Sequence, residues 1–217
     1  MTADDYRSLL GRLDEWFARG RCAASGCVPC RGGCMACCHG PFDISAADAE
    51  LVTDAVGHLP AAERDMVVAR ATALLDRMCA IEPGWTAPYD VATIGEQRFD
   101  RLTDALAEEP CPLLDDTGRC RIYADRPLVC RLVGLGMATP DGRVIENACP
   151  IQDRFPGYPE LPPVPFALEE FEVEEMECLR AAARRRFGDV ERWAFETTIA
   201  AAVVEDYRAA KDHSANE

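Results

Sequence analysis

Apolar positions recur three and four apart through the first twenty residues. Tyr6, Leu9, Leu10, Leu13, Trp16 and Phe17 fall on one side of a helix predicted over 4–19, with Gly20 as its stop. The period is lost over 21–43, which is too rich in Gly, Pro and Cys for regular structure. It returns after Ser45, an N-cap with Asp48 at the capping-box position, and a short helix should carry Leu51, Val52, Ala55 and Val56 to Gly57. Pro60 suits the first turn of the next helix, which runs to about Ala80 on Met66, Val67, Arg70, Leu74, Leu75 and Met78. Pro83-Gly84 ends it. After an irregular stretch, Thr93 with Glu96 forms a second capping box, opening a helix through Phe99, Leu102 and Leu106 to Pro110.

The texture changes from Cys111 onward. Residues 111–123 read as a short hairpin around Gly118, and Arg126-Pro127 opens a helical turn bearing Cys130 and Arg131. Residues 132–138 and 143–147 predict another hairpin across Pro140-Asp141-Gly142. Five prolines in 156–165 make a stiff extended connector. Two helices follow, at about 168–187 and 190–211. The first is acidic at its start and ends in Arg184, Arg185 and Arg186, which complements the helix dipole and reads as a solvated terminus. In the second, Trp193, Thr197, Ala200, Val204 and Tyr207 share a face. The fold class is mainly α with one or two small β-hairpins around an irregular cysteine-rich metal-binding core. One domain is expected over 1–217: a cysteine-cluster core at 21–155, the connector at 156–165 and a C-terminal helical pair at 166–211.

Composition narrows the function. A formal charge of −15 argues against nucleic acid or an anionic membrane bound through a broad basic face, leaving a protein or small-molecule partner. No run approaches the ~18 apolar residues of a membrane span. The acidic start, Met1 to Arg7, lacks the layout of a secretory signal, so a cytoplasmic location is expected. Thiols stay reduced there, which favours metal binding over disulfides for the twelve cysteines.

Five of those cysteines, Cys27, Cys30, Cys34, Cys37 and Cys38, lie within twelve residues. Burial alone gives no reason for such clustering, whereas a metal needs several thiolates within about 2.3 Å of one centre. Gly32-Gly33 lets the backbone bend back between ligands. Cys111, Cys120, Cys130 and Cys149 sit in a Pro-, Gly- and Asp-rich region with no strong apolar face to bury them, so they too read as ligands. Folded back on the first group, they could share one cluster or complete two centres of four ligands. Cys79 and Cys178 fall on predicted helices and read as packed residues; Cys22 is ambiguous, and His39 reads as a hydrogen-bonding neighbour. Cys30 to Cys37 has the CxxxCxxC spacing of radical S-adenosylmethionine enzymes, but the alternating strand–helix units of their barrel are missing. Haem attachment and paired zinc-ribbon spacings also fail.

Arg119, Arg121, Arg126 and Arg131 lie beside the second group, where guanidinium charge can offset surplus thiolate charge. Arg126 and Arg131 read as cofactor-binding residues, and one turn of helix predicts Arg126 on the cluster side. Arg131 is expected nearer solvent, gripping Asp125 or a substrate carboxylate.

Cys34-x-x-Cys37-Cys38, preceded by Cys27 and Cys30, resembles the leading motif of the YkgJ-type cysteine-cluster family. Cys111-Pro112-Leu113-Leu114, then Gly118-x-Cys120-x-Ile122-Tyr123-x-x-Arg126-Pro127-x-x-Cys130-Arg131 and Cys149, resembles its second motif, so the likeness covers about 27–150. The resemblance implies a zinc- or iron-chelating domain, often an iron–sulfur oxidoreductase, and one shared with flagellin lysine N-methylases. Three functions follow as expectations: an iron–sulfur protein, of 4Fe–4S type, with a redox or redox-dependent catalytic role; a structural zinc protein that recruits a partner; and a metal-dependent methyl-transfer enzyme. Thiolate ligation suits both metals and does not choose between them.

Overall fold

The computed structural model describes residues 1–24, 30, 33–146 and 149–208. Helix α1 (Ala3–Ala23) is capped by Thr2 in a reciprocal pair with Asp5 and buries Tyr6, Leu9, Leu10, Leu13 and Trp16. It runs through Gly20, which is a packing residue and not a stop. A Cβ there would stand 2.7 Å from both Leu135 Cδ1 and Val164 Cγ2, so a larger residue would have to push both side chains aside.

Strand β1 (Asp43–Ser45) leads into α2 (Ala46–Gly57), where Ser45 Oγ accepts from Asp48 N at 3.1 Å. Such a cap stabilises by about 1 kcal/mol. Helix α3 (Ala61–Ile81) buries Val67, Ala71, Leu74, Leu75 and Met78; Met66, expected on that face, is exposed. The next helical stretch is two pieces, because Asp90 caps a short α4 (Val91–Ile94) and Gly95, at φ +78°, interrupts it before α5 (Glu96–Ala105). Thr93 therefore does not cap; its hydroxyl donates to Asp90 O.

The first predicted hairpin is reduced to one bridge, Leu114 with Cys120, closed by a turn at Gly118. Helix α6 (Val129–Leu132) follows Pro127, and the second hairpin forms as β2 (Met137–Ala138) with β3 (Val144–Ile145). The proline-rich connector is not only a spacer: its end is β4 (Val164–Pro165), parallel to β2. Helix α7 (Leu168–Phe187) matches expectation and ends at Gly188 in the left-handed region. Its arginines are not simply solvated, since Arg186 is buried and Arg185 grips Glu50.

The second C-terminal helix does not form as expected. Residues Val190–Ala194 make a 3-10 segment, β5 (Glu196–Thr198) pairs antiparallel with β1, and α8 (Ile199–Val204) is short. β-branched Thr197 and Thr198 favour the extended form, and Thr198 then caps α8 through Ala201 N.

The core is built where α2 meets α7 and α8, α3 meets α8, and α1 meets α7. Leu10, Leu51, Val52, Val67, Leu102 and Ala202 are fully enclosed there. Among the described residues no helix is long and apolar enough to cross a membrane.

Candidate metal centre

The two cysteine segments meet face to face. Cys111 N donates to Cys38 O at 2.9 Å, Gly40 N donates to Glu109 O at 2.7 Å, and His39 bridges Pro110. Farther out, Gly33 and Met35 press on Gly118: a Cβ on that glycine would lie 3.0 Å from Met35 Sδ and 3.3 Å from Gly33 O. Gly33 and Gly118, both at positive φ, permit this contact between the two turns.

The 111–121 turn folds Cys120 back toward Cys111. Leu114 N donates to Cys111 O, Arg121 N to Leu113 O and Asp115 N to Arg119 O. The Asp115 carboxylate accepts from Thr117 N and Arg119 N, which tightens the turn. Cys130 arrives from α6, whose leading residue Leu128 donates its N–H to Asp48 Oδ1 at 3.0 Å. Asp48 thus serves the cap of α2, the Tyr6 hydroxyl and the cysteine-bearing turn at once.

Cys30 lies against Gly134, its sulfur 2.9 Å from where a Cβ would be. Tyr158 ties that place to Cys149: its hydroxyl donates to Gly134 O at 3.0 Å and accepts from Cys149 N at 3.2 Å.

The described cysteines are all free thiols. Burial pushes the Cys30 thiol up to about 11, with help from Cys149, Cys34 and Cys37. Burial pushes Cys111 up to about 12, and Cys120 adds to it. Cys130 is raised further by burial and then by Cys111, Cys120, Asp48 and Cys37. Cys120 and Cys149 are also raised, chiefly by burial. Cys37 and Cys38 share a hydrogen bond, which lowers Cys37 and raises Cys38. Among the described residues, no three Cys, His, Asp or Glu side chains converge closely enough to hold a metal ion as they stand. Where burial raises a thiol, as at Cys30, Cys111, Cys120, Cys130 and Cys149, metal binding has to displace a proton. A set of free sulfur donors from two abutting turns fits zinc or an iron–sulfur cluster.

Of the predicted ligands, Cys30, Cys34, Cys37, Cys38, Cys111, Cys120, Cys130 and Cys149 stand in this region, and Cys27 lies outside the described residues. Cys22 is exposed on α1, Cys178 is buried in α7, and the Cys79 thiol donates to Trp85 O. The arginines differ from expectation. Arg131 is 3% exposed rather than near solvent, and its partners are Asp14, Ala124 O and Arg126 O. Arg126 also pairs with Asp14, at 2.5 Å, and stacks on Tyr123. It still lowers Cys120, against the larger effect of burial. Arg121 pairs with Glu63.

The supports were harder to see. Glu63, Arg70 and Arg77 recur every seven residues along α3 and brace Arg121, Leu114 O and Glu109 in turn. That spacing on one helix face is a readable signal. Asp14 carries none, because its partners Arg126 and Arg131 lie more than a hundred residues along the chain, and Tyr158 carries none, because it joins Cys149, nine residues back, to Gly134, twenty-four back.

Beside the centre is a cleft of about 670 Å³. His39 lines it next to Cys38, Val91 and Phe99 give it an apolar wall, and Asp43, Glu96 and Asp100 an acidic rim.

Residues 29–150, more than half of the chain, match the family model CxxCxxCC, "Putative zinc- or iron-chelating domain". No curated protein and no solved structure matches.

Proposed function

Because the chain belongs to the CxxCxxCC family of zinc- or iron-chelating domains, we propose that its cysteines hold an iron–sulfur centre of 4Fe–4S type serving a redox reaction on a bound substrate. The observation that carries this reading is the cleft at His39, adjoining the thiol segment. Structural zinc sites are closed and need no neighbouring cavity of ligand size. Here Cys34, Cys37 and Cys38 are only half buried, and Cys38 is followed directly by the cleft-lining His39. A cluster so placed would exchange single electrons at a potential set by its hydrogen bonds and exposure. Val91 and Phe99 would exclude water from an apolar part of the substrate, while Asp43, Glu96 and Asp100 would disfavour anions. The pairing of Gly40 with Glu109 fixes His39 between thiols and cleft, where its imidazole can donate or accept a hydrogen bond.

The test is protein purified without oxygen. A brown protein with acid-labile sulfide, bleached by dithionite with a new paramagnetic signal, is expected. A colourless protein with stoichiometric zinc and no sulfide would replace this reading with the structural one.

A further inference from the structure

We propose that the cleft beside the thiols binds an aliphatic polyamine, with its methylene stem on Val91 and Phe99 and its ammonium groups among the carboxylates of α5 and the β1–β5 pair. As the substrate class of that cleft, the polyamine rests on the function proposed above; as a bound ligand, it rests on the cleft alone.

The lining carries one sign of charge from two separate elements. On α5, Glu96, Asp100 and Asp104 recur every four residues and so share one side of the helix. On the strands, Asp43 lies opposite Thr198 and Ser45 opposite Glu196. Asp43 and Glu196 are therefore diagonal neighbours on one face of the ladder. No lysine or arginine lines the cleft. Among the described residues, none of these five carboxylates has an ion-pair partner. Asp90 and Glu109, just outside the lining in sequence, are by contrast taken by Arg192 and Arg77. Like charges held side by side without a counter-charge are destabilising, and a cation entering the cleft relieves that repulsion.

Two further features choose the kind of cation. First, the carboxylates do not converge: among the described residues no three Cys, His, Asp or Glu side chains are close enough to hold a metal ion. A compact divalent cation, which needs several oxygens at once, finds no cage here. A chain with separated charges can meet the same carboxylates one by one. Second, Val91 and Phe99 belong to the buried core and turn an apolar wall to the cleft. Methylene groups gain from leaving water against such a wall, and a bare ion does not. The cleft, at about 670 Å³, is of ligand size. A polyamine alternates the two things its lining offers, charge and apolar surface.

The experiment titrates spermidine, an aliphatic triamine, into the full-length chain by calorimetry at low ionic strength. One molecule should bind per chain, and added salt should weaken the binding. Asp100→Asn on α5 and Glu196→Gln on β5 should each weaken it about threefold, and the double variant about tenfold. Circular dichroism of each variant checks that the fold is kept. Glu170→Gln, an equal loss of charge at an exposed site on α7, should leave the affinity unchanged. Hexanediol, which has the stem without the charge, and magnesium, which has the charge without the stem, should both bind far more weakly. Either of them bound as tightly as spermidine would overturn the proposal. So would Glu170→Gln weakening the binding as much as the cleft variants, or no saturable binding at all. The colour and sulfide test is read separately. A colourless zinc protein that still binds spermidine removes the redox role and keeps the ligand. A brown, dithionite-bleached protein that does not bind spermidine removes the ligand and keeps the redox role.

Discussion

The helical body and the cysteine region are held by different forces. In the body, formed by α1, α2, α3, α7 and α8, enclosed side chains such as Leu10, Trp16, Leu51, Val67 and Leu74 do the stabilising, at about 1.5–3 kcal/mol each. Between 110 and 135, few large apolar side chains are enclosed, among them Leu113 and Ile122, and regular structure shrinks to two isolated bridges, a 3-10 turn at Tyr123–Asp125 and one turn of α-helix. What remains is a set of struts from the body: Asp14 to Arg126 and Arg131, Asp48 to Leu128, and α3 to Glu109, Leu114 and Arg121. Struts of this kind place a segment without giving it a core. The body should therefore fold without metal, and the cysteine region should need it.

Removing the metal is the largest expected perturbation of that contrast. Metal binding in small thiolate sites reaches ~10–16 kcal/mol and doubles as folding energy. Chelation should raise amide exchange across 33–40 and 110–135 together by roughly a hundredfold or more, while α2, α3 and α7 stay protected. Exchange rising in only one of the two segments would show that they do not stand or fall together.

A smaller effect is expected from Asp14→Ala. The change strips a carboxylate from the nearly enclosed Arg131 and from Arg126, leaving the Arg131 charge with only carbonyl partners. We expect a loss of about 1–3 kcal/mol in denaturant unfolding and weaker metal retention. Unchanged metal affinity would mean that the strut serves the body alone.

The smallest effect lies within the body. Burial and the neighbouring Asp48 and Glu172 raise Glu175 from its ordinary 4.5 to about 7. The folded chain therefore holds that proton more tightly than the unfolded chain. Its contribution to stability is full below about 4.5 and is lost as pH rises through about 7. Glu175→Gln should flatten this decline in melting temperature, and an equally steep decline in the variant would exclude Glu175 as its source.

What could be read in advance follows the same divide. Ser45, the Leu51–Val56 face and the acidic-to-basic run of α7 mark their helices through local rules, and the structure keeps them. The cysteine spacing marked the family for the same reason, since ligand clustering is itself a local pattern. Gly20 misled because a stop and a close contact leave one mark, and the contact partners, Leu135 and Val164, are far along the chain. The predicted last helix failed because Thr197 and Thr198 have a strand partner in β1, more than a hundred and fifty residues earlier. Arg131 looked solvent-facing because its charge was visible and its enclosure by Asp14, Ala124 and Arg126 was not.

Tyr158 lies past the last residue of the family match, and so does Val164, whose carbonyl accepts from Trp16 Nε1 and whose strand extends β2. The recognisable motif and the cooperative unit therefore have different borders. Grafted elsewhere as 29–150, the segment would carry its sulfurs but leave behind the hydroxyl that clasps Cys149 to Gly134 and the helix that holds Arg126. The sulfurs are portable, the scaffold that spaces them is not, and an engineer borrowing this segment would have to transplant the framework along with it.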